Sequence, residues 1–465
     1  MSIGFQLVKP NIMPPLDEEF RPAVLANQRF LEEVANSQEG VPLLIGLERS
    51  DGYLSHFNSQ VFPDGHPRAM ANLRYVERIV KFLLWQKGGW KIIIGGPNSI
   101  ADHIRDCYSA NGERSFDCQF MQGDVYEKPF TVIASDPVDV PPENESSQPL
   151  GRHLDGCRIG FDLGASDRKS SAVIDGQAVF SEEVIWEPKG QNDPDYHYHE
   201  IMESLSAAAA NMPRVDAIGG SAAGIYIDNR VRIASLFRGV PANKYDQVRN
   251  LFLRIRDEMG VPLEIVNDGD VTALAGSMSL EDNGVLGIAM GSSEAGGYVN
   301  LEGNITGWLN ELAFAPVDYS PRAPVDEWSG DHGVGSQYFS QQCVFRLAPK
   351  AGITLPEDVP DAEKLAYVQE LLEASHEGAK KIWQTIGCYL GYSIAHYADF
   401  YDLKHVLVLG RCTSGVGGNV ILEGAGDVLS KDFPDLEEKV NIQLPDEKSR
   451  RVGQAIAAAS LPAIL

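Results

Sequence analysis

The chain has few cysteines, and their spacing argues against two common kinds of stabilised fold. Six cysteines are spread through 465 residues, with no pair at C-x-x-C spacing and no matching histidine pair. This pattern indicates neither a zinc site nor a disulfide framework. Because unpaired cysteines of this kind are typical of a reducing compartment, we predict a cytoplasmic protein.

A surplus of basic residues and a long apolar run are also missing. The chain carries 39 lysines and arginines against 65 aspartates and glutamates, which gives a formal net charge of −26. Nucleic acid and anionic membrane surfaces would repel such a protein. No apolar run approaches the roughly 20 residues that span a bilayer, and the start MSIGFQLVKPNIMPPLDEEF lacks a secretory pattern. We therefore predict neither a nucleic-acid partner nor membrane contact.

What the sequence does contain is an α/β pattern on both sides of one linker-like segment. Residues 134–156 are rich in proline, serine, asparagine and acidic residues, as linkers are. We predict an N-terminal α/β extension over 1–150 that ends in this linker. A first α/β half over 151–280 and a second half over 281–465, with the C-terminal helix, would follow.

Three glycine-rich segments have the composition of phosphate-binding turns. They are DLGASDRKSS (162–171), GSSEAGG (291–297) and LGRCTSGVGG (409–418). Glycine lets backbone N–H groups approach phosphate oxygens closely, and the hydroxyl residues add donors. Each segment alone is a weak signal, because a glycine hairpin without a ligand is more common. Their order along the chain carries more information than any one of them.

A fourth segment, EIVNDGDVTALAG (264–276), places Asp268 and Asp270 one residue apart. Asparagine, aspartate and glycine are ordinary turn residues, so these letters alone favour a turn. A calcium loop is excluded, since its sixth and twelfth positions need Gly and Glu where Ala273 and Ser279 stand.

Taken in order, these segments and DAIGGSAAGIYIDNRV (216–231) resemble the ROK sugar kinases, within the acetate and sugar kinase, Hsp70 and actin superfamily. The resemblance runs from about Gly160 to the C-terminus. It implies a two-lobed, actin-like ATPase fold of the ribonuclease H-like type, preceded here by an extra α/β region. It also implies ATP-dependent phosphorylation of a sugar or sugar-like polyol, with Mg²⁺ as the metal, in a protein that is commonly a homodimer.

The resemblance assigns a role to each matching residue. Asp268 matches the catalytic base, whereas Asp270 stands where the family has Asn and is expected to be a solvated turn or helix-cap carboxylate. The residues implied for the acceptor site are Asn267, Glu311 and Gly220. The residues implied for ATP are Asp162, Gly164, Ser166, Lys169, Gly291, Ser292, Ser293, Gly410 and Gly415. Asp162 would also hold Mg²⁺ through water.

The sequence departs from the family around its zinc motif. Phe314 replaces the histidine that contacts both sugar and zinc, and Ser336 replaces a sugar-contacting glutamate. The cysteine positions are taken by Glu327, Ser329 and Val334. We therefore predict no zinc site and do not expect glucose as the acceptor. His332 is a candidate replacement contact, although a lone loop histidine is more often solvated.

Two further questions stay open at the level of sequence. Glu294 lies inside the second phosphate hairpin, where we expect it to point outward because neighbouring side chains alternate. Its charge and the altered sugar pocket leave a non-catalytic sugar or nucleotide sensor as the alternative to a kinase. Residues 1–150 contain no winged helix-turn-helix; they are either a degenerate duplicate of the second half-lobe or an unrelated α/β cap over the active site or dimer face.

Overall fold

The computed structural model describes residues 4–145, 150–445 and 447–464. Residues 146–149 of the predicted linker lie outside the described residues, as do the side chains of residues 51 and 447–452. Within the described part of the chain, no helix is both long and apolar enough to cross a membrane.

Residues 4–145, here called the N-terminal module, form a mixed sheet covered by helices. The helices are α1 (Ala23–Ser37), α2 (Met70–Lys87), α3 (Asn98–Cys107) and α4 (Ser115–Gln119). The strands are β1 (Val41–Glu48), β2 (Leu54–Val61), β3 (Lys91–Gly95) and β4 (Thr131–Ser135). Their spatial order is β2-β1-β3-β4, with β1 antiparallel to both neighbours and β3 parallel to β4.

The first lobe is a five-stranded sheet in the order β11-β8-β5-β6-β7. Its strands are β5 (Cys157–Leu163), β6 (Asp167–Ile174), β7 (Gln177–Ile185), β8 (Ala217–Ala222) and β11 (Leu263–Asn267), and a separate hairpin joins β9 (Ile225–Ile227) to β10 (Arg230–Ile233). The helices are α5 (Pro194–Ala209), α6 (Tyr245–Arg249) and α7 (Leu251–Met259). β5 to β7 form an antiparallel meander, and β8 and β11 continue the sheet in parallel.

The second lobe repeats this plan with a four-stranded sheet in the order β13-β12-β14-β15. Its strands are β12 (Val285–Met290), β13 (Glu294–Val299), β14 (His405–Leu409) and β15 (Asn441–Gln443). Its helices are α9 (Gln341–Leu347), α10 (Asp361–Glu373), α11 (Glu377–Tyr397), α12 (Gly417–Asp432) and α13 (Pro434–Glu437). β12 and β13 form a hairpin, whereas β14 and β15 run parallel to β12.

Two helices lie between the lobes. α8 (Asp268–Leu280) follows β11, and α14 (Glu447–Ala459) ends the described chain. We expected the C-terminal helix to belong with the second lobe, but it packs tightly on the first-lobe strands. A Cβ added at Gly219 of β8 would meet the carbonyl oxygen of Ala458 at 1.7 Å. Glycine is therefore what lets α14 lie so close to this sheet.

The N-terminal module shares one hydrophobic core with the second lobe. Phe82 of α2 stacks on Phe400 with ring centroids 3.9 Å apart, and its ring meets the edge of His396 in α11. Buried residues of both regions form a single cluster that excludes the first-lobe sheet. The module is thus part of the body of the second lobe.

The strand directions of the module do not support a duplicated half-lobe. The spatial order β2-β1-β3-β4 matches β13-β12-β14-β15. However, β1 and β3 run antiparallel, whereas the corresponding β12 and β14 run parallel. Antiparallel neighbours can be joined by a short hairpin, whereas parallel neighbours need a longer crossover connection. The two sheets are therefore not copies of one repeated unit.

Candidate active site

Asp162 lies near the end of the central first-lobe strand, between two polar side chains on its neighbouring strands. The strand register places Lys169 of β6 on one side and Ser221 of β8 on the other. The pKa of Asp162 is raised by burial, although the hydroxyl of Ser221 and the charge of Lys169 oppose that rise. The Lys169 ammonium also pairs with Asp167 at 3.2 Å. This carboxylate therefore sits in a polar but poorly hydrated position.

Asp268 begins α8 at the carboxyl end of β11. Asn267 caps the helix, since its Oδ1 accepts from the backbone N–H of Gly269 at 2.7 Å while its Nδ2 donates to the carbonyl of Gly224 at 2.8 Å. In the sheet register Asn267 is level with Ala222, which is level with Leu163. Two strand spacings, about 10 Å, therefore separate Asn267 from the strand that carries Asp162.

Burial and mutual repulsion raise the pKa values of the carboxyl groups around Asp268. Burial and the charge of Asp162 raise the pKa of Asp268 to about 6. Burial, followed by the charges of Asp268 and Asp270, raises the pKa of Glu311 to about 7. A bound cation would stabilise the ionised form of these groups, and a proton received from a ligand would neutralise them. The arrangement brings together three residues that the sequence predicted for one site.

Asp270 is not solvated, which corrects our expectation. It is only 4% exposed, and its Oδ1 accepts from the backbone N–H of Tyr298 at 3.3 Å and from Nδ2 of Asn310 at 3.0 Å. Burial raises its pKa to about 7. The partners are distant in sequence, so a local turn pattern could not reveal them. Asp270 is a buried link between α8 and the loop before Glu311.

The two glycine turns of the second lobe meet at the end of β12. Ser292 and Ser293 are exposed at the tip of the β12–β13 hairpin. Gly410 follows β14 with φ of +98°, and a Cβ there would meet the carbonyl oxygen of Met290 at 2.5 Å. Only glycine suits that conformation and that contact. Gly291 is held from the other side, because its carbonyl accepts from the backbone N–H of Gln341.

The remaining predicted nucleotide residues lie on exposed turns. Gly164 and Ser166 form the β5–β6 turn, which is anchored because Trp186 donates from Nε1 to the carbonyl of Gly164 at 2.9 Å. Gly415, at φ of +62°, precedes Val416, whose N–H donates to Oε1 of Glu373 at 2.9 Å. These turns offer backbone N–H groups and hydroxyls at the surface of the structure.

Glu294 does not point outward, which is a second correction. Its side chain is 4% exposed, and a Cβ added at Gly335 would meet its Oε2 at 2.0 Å. Burial raises its pKa to about 8, and Tyr397 lies close enough to oppose that rise. Neighbouring side chains of a strand point to opposite faces of the sheet, and the side chain of Glu294 points to the buried face. Its carboxyl group therefore lies in the protein interior.

Gly220 and His332 are two further candidates for the acceptor site. Gly220 lies under the ring of Phe161, which a Cβ would meet at 2.1 Å, so it serves packing of the first-lobe sheet. His332 is exposed, and its Nδ1 is 3.1 Å from the carbonyl oxygen of Ala323. Its described contacts do not include Asp268 or Glu311.

The region of the family's zinc motif is filled here by aromatic rings and an ion cluster. Phe314 packs on Trp85 of α2 at 4.4 Å and on Trp328 at 5.2 Å. Beside them, Asp331 pairs with cations of the N-terminal module, namely Arg78, Lys81 and Arg114. Among the described residues no group of three or more potential ligands is arranged to hold a metal. The module thus contributes contacts that hold this loop.

Two residues near the carboxylates were not predicted. Ser221 lies beside Asp162 in the sheet and opposes the rise of its pKa, and burial followed by the charge of Asp268 raises the pKa of Tyr226. Both belong to DAIGGSAAGIYIDNRV, from which we selected only Gly220. Their polar side chains next to the glycines are the signal that could have identified them.

Comparison with solved structures supports the architecture. The chain resembles a ROK hexokinase from Thermus thermophilus at 19% identity, over 65% of this chain and 97% of that one, with a TM-score of 0.51. It also resembles a ROK family transcriptional regulator, a homologue of the E. coli MLC protein, at 17% identity over 65% of this chain and 78% of that one, with a TM-score of 0.50. No protein-family model and no curated protein matches the sequence. The chain therefore has the two-lobed, actin-like ATPase fold that these ROK proteins share.

Proposed function

We propose that this chain is a ROK-type carbohydrate kinase, which transfers the γ-phosphoryl group of ATP to a hydroxyl of a sugar or sugar-like polyol. The observation that carries the proposal is the position of Asp268. Its carboxylate follows β11, faces the charge of Asp162, and has a pKa raised to about 6. A base of that pKa is ionised at neutral pH and still accepts a proton readily.

Asp268 would act on the acceptor hydroxyl. As the hydroxyl oxygen bonds to the γ-phosphorus, its proton passes to Asp268 and the bond from phosphorus to the β–γ bridging oxygen breaks, which releases ADP. Asn267 and Glu311 are the residues we assign to neighbouring hydroxyls of the acceptor. Positioning and charge stabilisation supply most of the acceleration in such transfers, so few protein groups need to react.

Asp162 is the residue we assign to hydrated Mg²⁺. Burial and the nearby acidic Asp167 raise its pKa, and that is the environment in which a divalent cation most stabilises the ionised carboxylate. Mg²⁺ commonly keeps its waters and binds through few carboxylates, which fits the absence of a three-ligand cluster among the described residues. When bound, the ion shields phosphate charge. Lys169, Ser166, Ser292 and Ser293 would contact the phosphates, and the turn at Gly410 and Gly415 would face the nucleoside.

A non-catalytic sensor is the second candidate, and one observation favours it. A transcriptional regulator shares the fold about as well as the hexokinase does. The inward position of Glu294 removes one reason for this alternative, because that carboxyl group lies in the interior and not beside the phosphates.

The decisive experiment measures ADP release with ATP and Mg²⁺ over a panel of sugars and polyols. At least one acceptor should give turnover, and Asp268→Asn should lower kcat by about 10²- to 10⁴-fold, the usual contribution of a general base. Asp427→Asn, on the exposed face of α12, is the matched control and should keep full activity. If no acceptor gives turnover that Asp268→Asn removes, the kinase proposal fails.

A further inference from the structure

A cavity of about 430 Å³ lies where the N-terminal module and both lobes meet. The module contributes Tyr53 and Tyr126, the first lobe contributes Tyr226 and Asn267, and the second lobe contributes Trp308. All three parts of the chain are therefore needed to enclose it.

The cavity adjoins the acceptor site. Asn267 forms part of its wall and is the residue immediately before Asp268. Tyr226 forms another part, and the charge of Asp268 acts on its phenol. An acceptor with one hydroxyl at Asp268 would therefore extend past Asn267 and Tyr226 into this space.

The cavity is large enough for a sugar ring. Sites that enclose drug-sized ligands occupy about 300–1,000 Å³, and 430 Å³ lies within that range. The N-terminal module supplies part of the wall through Tyr53 and Tyr126.

The lining suits an uncharged ring with hydroxyl groups. Tyr53 is a partly exposed aromatic side chain, and such rings pack against the C–H faces of sugar rings; the Trp308 ring already stacks on Tyr298 and has the Lys87 ammonium 4.5 Å from its centroid. Arg49 Nε and Thr306 Oγ1 are buried in the wall, and neither has a hydrogen-bond partner among the described residues. Buried polar atoms of this kind gain when a ligand or water pairs with them.

The charges of the lining disfavour a phosphate or carboxylate in the cavity. The Arg49 guanidinium is already paired with Glu145, which also accepts from Lys87 at 3.2 Å and from Nε1 of Trp308 at 3.2 Å. Asp228, Glu264 and Asp270 add acidic groups to the wall, and its other cation, Arg256, is paired with Asp257 at 2.9 Å. An anionic second group would meet these carboxylates, whereas a neutral sugar would hydrogen-bond them.

We propose that this cavity is a subsite for a second, uncharged sugar ring, so that the acceptor is a disaccharide and not a monosaccharide. The inference rests on the proposed function, because it extends the site in which Asp268 would act. It gives the N-terminal module a role in choosing the substrate.

The test measures binding by titration calorimetry, without ATP, for disaccharides of different linkage and for their component monosaccharides. At least one disaccharide should bind ten-fold or more tightly than either component. Tyr53→Ala should remove that preference and leave monosaccharide affinity unchanged. Tyr367→Ala, at an exposed tyrosine of α10, is the matched control and should behave as wild type. Thr306→Val, which removes the unpaired hydroxyl in the wall, should also reduce the preference and serves if Tyr53→Ala does not fold.

The outcomes separate this inference from the proposed function. If no disaccharide binds more tightly than its components, or if both Tyr53→Ala and Thr306→Val keep the preference, the subsite is wrong. Tight disaccharide binding without ADP release would support the subsite and contradict the kinase. Turnover of monosaccharides without any preference would support the kinase and contradict the subsite.

Discussion

The side-chain amide of Asn310 donates a hydrogen bond to the carboxyl group of Asp270 over 3.0 Å. This bond joins the first turn of α8, which begins with Asp268, to the residue that precedes Glu311. Asn310 also accepts from the hydroxyl of Tyr401 at 3.0 Å and has φ of +50°. One buried asparagine thus fixes the spacing between two predicted site residues.

Replacing Asn310 tests this link. Asn310→Ala should lower the free energy of unfolding by about 1–3 kcal/mol for the lost buried hydrogen bonds. Strain of the alanine at this positive φ should lower the free energy of unfolding by about 1 kcal/mol more. Asn310→Gly loses the same bonds without the strain, so it should be the more stable of the two in urea unfolding. If the two variants unfold at the same urea concentration, strain at this position is not significant.

The pH dependence of activity follows from the raised pKa of Asp268. A base must be ionised, so kcat/KM for the acceptor should fall about ten-fold per pH unit below about pH 6. The pKa of Glu311 is raised to about 7, so this residue is largely protonated at pH 6. Glu311→Gln should therefore change the level of kcat/KM but leave the acid midpoint in place. A flat profile between pH 5 and 7 would contradict the assignment of Asp268 as base.

Because of Glu294, the free energy of unfolding should decrease as the pH rises. Its folded-state pKa is raised from the usual value to about 8, so its contribution is fully present below the unfolded pKa and is lost as pH rises through about 8. A ten-fold difference in the proton affinity of Glu294 between the folded and unfolded states changes the free energy of unfolding by about 1.4 kcal/mol. Glu294→Gln should flatten the fall in unfolding midpoint between pH 6 and 9. Glu302→Gln, at an exposed glutamate of the same lobe, should not. Parallel curves for wild type and Glu294→Gln would show that Glu294 ionises normally.

Two acidic residues that pair with Arg114, Asp331 and Glu113, should differ sharply in their contribution to the free energy of unfolding. Asp331 is 5% exposed and also pairs with Arg78 and Lys81, whereas the side chain of Glu113 is 57% exposed. Asp331→Asn removes one carboxylate that three buried cations share, although Glu77 and Asp117 remain as partners, and should cost about 1.5–3 kcal/mol of unfolding free energy. Glu113→Gln should cost less than about 1 kcal/mol.

The loss of stability at acidic pH gives a second measurement for Asp331 and Glu113. The three cations hold the pKa of Asp331 well below its usual range. Its stabilisation is therefore present at neutral pH and is lost as pH falls below about 4. Comparable urea midpoints for Asp331→Asn and Glu113→Gln would mean that the ion cluster contributes little.

The fold of the lobes was accessible from sequence because its signals are local. The Asp175-Gly176 turn, the apolar strand before Asn267 and the regularly spaced apolar positions of α11 each lie within one short window. Asp268 is different, because it became a candidate base only through its order between two glycine-rich segments and the resemblance that this order carries. We did not predict α1, although Ala26, Phe30 and Val34 in its sequence are four residues apart, as on one face of a helix.

The environments of Asp270 and Glu294 could not be predicted because their partners are distant in sequence. Asp270 is buried by Asn310 and Tyr298, and Glu294 by Gly335 and Tyr397. Alternation along a strand shows that two faces exist but not which one is covered. The residues that cover both carboxyl groups come from other parts of the second lobe, far along the chain.

The shared core of the N-terminal module and the second lobe constrains how the protein is made. The module sheet ends at Ser135 and α11 starts at Glu377, so residues 136–376 are synthesised between them. At ordinary elongation rates that interval lasts roughly 10–50 s. Throughout it, the face of α2 that will meet α11 has nothing to pack against. The earliest part of the nascent chain must therefore keep an apolar surface soluble on the ribosome until its partner emerges.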